Sequence, residues 1–326
     1  MTPASALRCA AVQLQAVLGD VAANLEACED AVVRAAREGA RVVVLPEFFT
    51  SGVAFRPEVA TAAQPLDGYA VRALQQWARR HDILLSGSLL LRDDDGHVRN
   101  AQLLVDRTGI VGRHDKDLPT MWEHALYVGG RDDGLQQVRV ADEAMHVGTA
   151  LCWELTRRRT VDRLAGRVDL VLAGSGWWSV PRWRPHRAFD AWEQINGRRA
   201  RDAPAVFARF VGAPVVHAAH VGRLVCALPG MPGRYRGRYE GGTGVWDAAG
   251  QAVAVLPPVD SGPGTARPLV VDVPSGRREP ESRPASYWVT PPGPVPRVAW
   301  HWQRAVGRAH YRRHVQAAYG ESGSPA

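Results

Sequence analysis

Short apolar runs rich in Val, Leu and Ala recur along this chain, many closed by Gly, Pro or Asp, and several lead into stretches with apolar residues at helical spacing. That alternation between a period of two and a period of 3.6 is the pattern of a mixed α/β domain. Residues 7–14 read as a strand. Residues 22–38 read as a helix with Leu25, Cys28, Val32, Val33 and Ala36 along it, and residues 41–45 as a buried strand after Gly39. A helix over 69–80 and strands over 83–91, 101–106 and 110–114 follow, with Asp-Gly and Thr-Gly turns between the strands. The second half repeats the theme. Strands are expected at 145–151, 168–173, 214–218, 244–247, 252–256 and 269–273, and helices at 156–165 and 187–201.

No repeat or linker interrupts residues 5–273, so one domain is expected there. Residues 274–326 read as a C-terminal extension, part helical and part disordered. Within it, a basic amphipathic helix over 297–317 reads as a solvated face or subunit contact, and residues 320–326 as disordered. No apolar run approaches the roughly 20 residues of a membrane span. The first residues lack the charged and apolar regions of a secretory signal, so a cytoplasmic setting is expected. The formal charge is +7, but arginines are interspersed with acidic residues and no nucleic-acid motif is present, so no nucleic-acid partner is expected. The four cysteines, Cys9, Cys28, Cys152 and Cys226, are far apart and form no Cys-x-x-Cys pair. That argues against zinc and against a disulfide framework, and no cofactor is expected.

Lys and Arg together number 40, and Lys116 alone is lysine. One retained Lys among so many arginines suggests a site that needs a compact ammonium and rejects a planar guanidinium. Glu47, Lys116 and Cys152 share one address, at or just past the carboxyl end of an expected strand, where α/β sheets collect catalytic groups. A strand-end Cys entering a helical turn is placed where backbone N–H groups favour a thiolate and a developing oxyanion. Glu47, beside Phe48 and Phe49, is a candidate base for the thiol, and Lys116 a candidate for holding negative charge on the substrate. An Arg at 116 would be too large and would draw Glu47 into a bidentate pair.

In their order and spacing these segments resemble the nitrilase, or carbon–nitrogen hydrolase, superfamily. The matching stretches are Pro46-Glu47-Phe48, then Lys116-Asp117-Leu118-Pro119-Thr120 with Glu123 and Gly129-Gly130, then Gly148-Thr149-Ala150-Leu151-Cys152-Trp153-Glu154. Asn100, Gly87-Ser88 and the late Gly242-Thr243-Gly244-Val245-Trp246-Asp247 add support, so the resemblance covers about residues 7 to 273. It implies a four-layer αββα sandwich whose copies pair into a homodimer or larger homo-oligomer. It also implies a catalytic triad of Glu47, Lys116 and Cys152, with Glu123 positioning substrate and the Trp153 backbone N–H joining Lys116 at the oxyanion. In the family the loop after the strand at 168–173 borders the substrate pocket, which makes Trp177 a substrate-binding candidate.

Against these stand plainer readings. Glu123 suits a surface salt bridge to Arg113 or Arg131, and Trp177 and Trp178 suit core packing. His217 and His220 have no metal-ligand pattern and read as structural. Cys-Trp-Glu resembles the nitrilase branch, whereas Arg157-Arg158-Arg159 and the Gly-Ser-Gly-Trp-Trp loop do not, so the branch stays open between amidase and nitrilase. The leading expectation is hydrolysis of a non-peptide amide through a thioester on Cys152. A nitrilase working through a thioimidate, an amide-forming acyltransferase and an inactive scaffold are the alternatives.

Overall fold

The computed structural model describes residues 6–320 apart from 142, 182–185, 275, 284, 287 and 289–293. The first half runs β1 (Leu7–Gln15), α1 (Val21–Arg37), β2 (Val42–Val44), α2 (Pro57–Ala60), α3 (Tyr69–His81), β3 (Leu84–Arg92), β4 (Val98–Asp106) and β5 (Gly109–Asp115). A 3-10 turn, Met121–Ala125, leads to β6 (Leu135–Val140) and β7 (Glu143–Leu151). A second 3-10 turn, Cys152–Thr156, precedes α4 (Arg158–Leu164), β8 (Leu170–Ser175) and α5 (His186–Val211). The remainder is β9 (Val215–His220), β10 (Arg223–Leu228), β11 (Met231–Arg238), β12 (Gly244–Trp246), β13 (Ala252–Val255), β14 (Thr265–Val273) and α6 (Pro294–His310), continued by a π turn, Tyr311–Gln316.

The strand order β5-β4-β3-β2-β1-β9-β8-β7-β6 forms one mixed sheet, with β14 on β1 and β12 on β9. Between β1 and β9 only Gln13 and Leu14 pair with Ala219 and His220, so the sheet opens there into two leaves. The far edges also meet, where Gln136 Nε2 of β6 donates to the Arg113 carbonyl of β5 at 2.9 Å. The sheet is therefore nearly closed. The side-chain alternation of each strand explains the layers. On β1 and β2, Cys9, Ala11, Val42 and Val44 point inward and pack against Leu170, Leu172, Val216 and Val245 of the other leaf. Their neighbours Ala10, Val12, Val43 and Leu45 point outward against Cys28, Val32 and Leu74 of α1 and α3. Val171, Ala173 and Val215 face Val161, Phe207 and Val211 of α4 and α5 in the same way. Each fully buried Val or Leu contributes about 1.5–3 kcal/mol. The result is the four-layer αββα sandwich that the resemblance implies.

Three elements depart from expectation. β6 and the β10–β11 hairpin lie where no strand was expected, and α5 runs through Pro204 to Val211 instead of ending at Arg201. Proline removes one backbone donor, but Ala200, Ala203, Phe207, Ala208 and Val211 are all buried on the sheet and hold the helix there. The C-terminal segment also differs from a solvated face. α6 lies on the 3-10 turn that carries Glu123, so closely that a Cβ on Gly307 would sit 3.0 Å from the Ala125 nitrogen. Trp300, Gln303, Tyr311 and Val315 are buried. The disorder expected over 320–326 falls, Gly320 apart, outside the described residues. Among the described residues no helix is long and apolar enough to cross a membrane.

Candidate active site

Three strand ends converge. The chain leaving β2 reaches Glu47, the chain leaving β5 reaches Lys116, and β7 turns sharply at Cys152; all three are buried. Lys116 Nζ donates to Glu47 Oε1 and to Glu123 Oε2, both at 2.8 Å. An ammonium has three N–H groups, so these two bonds leave one for a further partner. A guanidinium in that space would bring five donors in a rigid fork.

Glu47 is fixed on every side. Asn100 Nδ2 donates to Oε1 at 2.9 Å, and the Gly176 N–H to Oε2 at 3.0 Å. His220 Nε2 lies 2.6 Å from the Glu47 carbonyl, which can only accept, so that nitrogen carries the proton. A Cβ on Gly176 would meet Val53 Cγ2 at 2.1 Å, so only glycine lets this N–H approach the carboxylate. Glu123 Oε2 also accepts from the Thr120 N–H at 3.0 Å and from the Tyr127 hydroxyl. Glu123 is therefore a buried partner of Lys116. Arg113, its rival partner in the surface reading, pairs with Asp93 and Asp115 instead.

Electrostatics follow from this packing. Burial opposes the Lys116 charge, but Glu123 and Glu47 outweigh it and hold the ammonium well above its ordinary pKa. Burial and then Glu47 push the Cys152 thiol well above its usual range, with Lys116 opposing only in part. Such a shift favours the neutral thiol at rest, so a base beside it is needed for any nucleophilic role. Burial also keeps Tyr127 protonated far up the pH scale, as a donor to Glu123.

The local backbone is strained in three places. Phe48, Met121 and Cys152 have φ of 50°, 48° and 53°, three of the five non-glycine residues in the left-handed region among the described residues. Such conformations cost of order 1–3 kcal/mol each and collect at functional sites. Here one follows Glu47, one precedes Glu123 by two positions, and one is Cys152 itself.

Glu154, the third residue of Cys-Trp-Glu, ties two of the segments together. It accepts from the Leu151 N–H at 2.8 Å and from the Asp117 N–H at 3.0 Å. It also pairs with His114 Nε2 at 2.9 Å, while Asp132 holds the other nitrogen of that ring. Burial would lower the His114 pKa, but Glu154 and Asp132 raise it to about 10. Asp117 in turn takes Arg157 on both oxygens. These charges are buried yet paired and hydrogen-bonded, the condition under which burial is tolerated.

Cys152 and Glu123 open onto a cavity of about 380 Å3. Trp177 lines it, its ring centroid 5.4 Å from that of Trp153, which lines it as well. Trp178 stacks between Trp122 and Tyr235 at 4.4 and 4.5 Å, and its Nε1 donates to the Val53 carbonyl. Two walls escaped the sequence reading. Phe189, Trp192, Asn196 and Arg199 of α5 line the cavity, as do Trp302 and Gln303 of α6. Their spacing on α5 is helical, but no pattern in the sequence says that this face meets a ligand. His217 bridges Ser175 Oγ and the Gly242 carbonyl at 2.9 and 2.7 Å. Burial lowers the pKa of both His217 and His220 to about 4, so they serve as neutral supports. Among the described residues no group of three or more His, Cys, Asp or Glu side chains is placed to hold a metal.

Residues 8–261 match the family model for carbon–nitrogen hydrolases. The chain belongs to the carbon–nitrogen hydrolase family. Nitrilase 3 of Arabidopsis thaliana is 28% identical over 171 residues, which cover 47% of this chain and 49% of the relative. An aliphatic nitrilase of Rhodococcus rhodochrous is 29% identical over 207 residues, covering 58% of this chain and 55% of the relative. The chain thus spans about half the length of the curated relatives it matches. An amidase from Nesterenkonia sp. AN1, solved with the acetamide moiety of fluoroacetamide added at its active-site cysteine, superposes with a TM-score of 0.62 at 21% identity, covering 83% of this chain and 91% of that one. A superfamily protein of Xanthomonas campestris carrying an arsenic adduct in its active site gives 0.60 at 21%, covering 82% and 91%. Both structural likenesses speak to the fold.

Proposed function

We propose that this chain is a cysteine-dependent hydrolase of a non-peptide carbon–nitrogen bond, converting an amide to an acid plus ammonia or an amine. The observation that carries the reading is Lys116 bridging Glu47 and Glu123 where Cys152 opens onto a mostly apolar cavity. Glu47 takes the Cys152 proton as the sulfur attacks the amide carbon. The uncommitted Lys116 N–H and the Trp153 backbone N–H hold the oxyanion. The tetrahedral species collapses to a thioester, and the amine leaves with the proton returned by Glu47. Water, deprotonated by Glu47, then attacks the thioester and frees the acid and the thiol. Glu123, locked by Tyr127 and Thr120, keeps Lys116 aimed and the substrate positioned.

A second reading has its own support, since the curated relatives carry nitrilase names and Cys152-Trp153-Glu154 resembles that branch. On a nitrile the same attack gives a thioimidate, and two waters complete the conversion to acid and ammonia. Resolution of the thioester by an amine instead of water would make the chain an acyltransferase. The free state of Cys9, Cys28, Cys152 and Cys226 fits a reducing, cytoplasmic setting, and the family resemblance implies pairing of copies, which light scattering would read. The test of the chemistry is intact-mass analysis after mixing with amides and nitriles. A wild-type acyl adduct absent from Cys152→Ala is expected. Turnover that survives Cys152→Ala sinks the reading.

A further inference from the structure

The cavity beside Cys152 pairs an aromatic lining with one unmatched charge. Among the described residues that line it, six are tryptophans: Trp122, Trp153, Trp177, Trp178, Trp192 and Trp302. Two are ionic, Glu123 and Arg199. Glu123 is already matched by Lys116 and Tyr127. Arg199 has no hydrogen bond and no ion pair among the described residues, although it is only partly exposed. Three other half-buried or buried arginines are engaged: Arg113 with Asp93, Arg163 with the Asp132 carbonyl, and Arg157 with Asp117.

Helix geometry explains why Arg199 faces the cavity. Phe189, Trp192, Asn196 and Arg199 recur at intervals of three and four, one face of α5. Asn196 is consumed by the Trp177 indole N–H, the Trp178 carbonyl and Glu240. Arg199 is thus the polar group on that face left for a ligand.

We propose that the acyl part of the substrate is a flat aromatic body carrying a carboxylate, and that Arg199 pairs with that carboxylate. The proposal rests on the amide or nitrile reading above. When ammonia leaves, everything that fills the cavity belongs to the acyl group, so the charge Arg199 meets must sit there. A guanidinium fork matches a carboxylate with two parallel bonds, and tryptophan faces prefer offset stacking on a planar ring. A cavity of this size accepts one ring with a short substituent.

The experiment compares three phenylacetamides and their nitrile counterparts, bearing at the para position a carboxylate, its methyl ester or a trimethylammonium. The carboxylate is expected to exceed the ester in kcat/KM by about 10- to 100-fold, the worth of one charge-assisted bond. The trimethylammonium is expected to rank last. In Arg199→Gln the ratio of acid to ester should collapse toward one, chiefly through KM. Equal or better turnover of the ester or the cation, or an acid preference that persists in Arg199→Gln, overturns the proposal and leaves the hydrolase reading standing. If no member is turned over and none leaves an adduct on Cys152, the aromatic-acid proposal is overturned, while adducts from the wider amide and nitrile panel still decide the hydrolase reading.

Discussion

The two walls of the cavity are built on opposite principles. One wall, where Glu123 and Cys152 line the cavity with Glu47 and Lys116 behind them, comes from three strand ends and a 3-10 turn, is buried, and holds its carboxylate and ammonium contacts at 2.8–3.0 Å. The wall of α5 and α6 is aromatic, partly exposed and sparsely hydrogen-bonded; Trp302 is 44% exposed. One wall fixes atoms to tenths of an ångström, as bond-making requires. The other offers shape and stacking, which select a ligand without constraining the reaction. On the proposed function, chemistry and choice of substrate are carried by different layers of the sandwich.

If this division holds, substitutions on the first wall should cost stability or turnover, and those on the second should reorder substrates. The largest effect is expected for Glu154→Ala. It leaves the His114 imidazolium with Asp132 alone and strands two backbone N–H groups, and a loss of about 3–5 kcal/mol is expected from breaking a buried pair. Chemical denaturation reads it, and a change below about 1 kcal/mol would show that the link between the Lys and Cys segments is dispensable. Lys116→Arg should fold and lose about 10²–10³-fold in kcat, as for removal of an oxyanion donor. Near-normal turnover would end the argument for a compact ammonium.

Next comes pH. His114 has its folded pKa raised to about 10 by Glu154 and Asp132. A raised histidine pKa contributes stability that is fully present below its unfolded value of about 6.5 and is lost as pH climbs through the folded value. Melting temperatures should therefore fall between about pH 6.5 and 10, and the slope should flatten in His114→Gln. An unchanged slope would remove His114 from the frame. The smallest effect belongs to the second wall. Trp302→Ala should leave the melting temperature in place and raise KM for aromatic substrates roughly 2- to 10-fold, the worth of one aromatic contact. A loss confined to kcat would contradict the division.

Glu47, Lys116 and Cys152 of the first wall were legible because each follows a strand with a distinctive local pattern, whereas Glu123, on a 3-10 turn, was reached only through the family resemblance. Glu47 follows Val42–Val44, Cys152 follows a strand and opens a turn, and Lys116 is alone of its kind. The layers were legible for a similar reason, since inward and outward residues alternate along β1, β2 and β8. β11 was hidden because Met231–Arg238 carries arginines and glycines where a strand pattern needs alternating apolar residues. β6 was hidden by Gln136 and Gln137. The second wall could not be read because it depends on tertiary placement. Nothing in residues 294–310 announces that Gly307 will rest on Ala125, and a basic helix seen alone reads as a solvated one. Tyr127 escaped for the same cause, since its partner is Glu123, and His220 was read as structural without its partner on the Glu47 backbone.

The seating of α6 has an evolutionary corollary. Because the last helix supplies part of the cavity lining while the proposed reacting groups descend from the sheet, natural variation in the tail would retarget such an enzyme without disturbing its bond-breaking core. A lineage holding this arrangement can diversify by rewriting its final few turns.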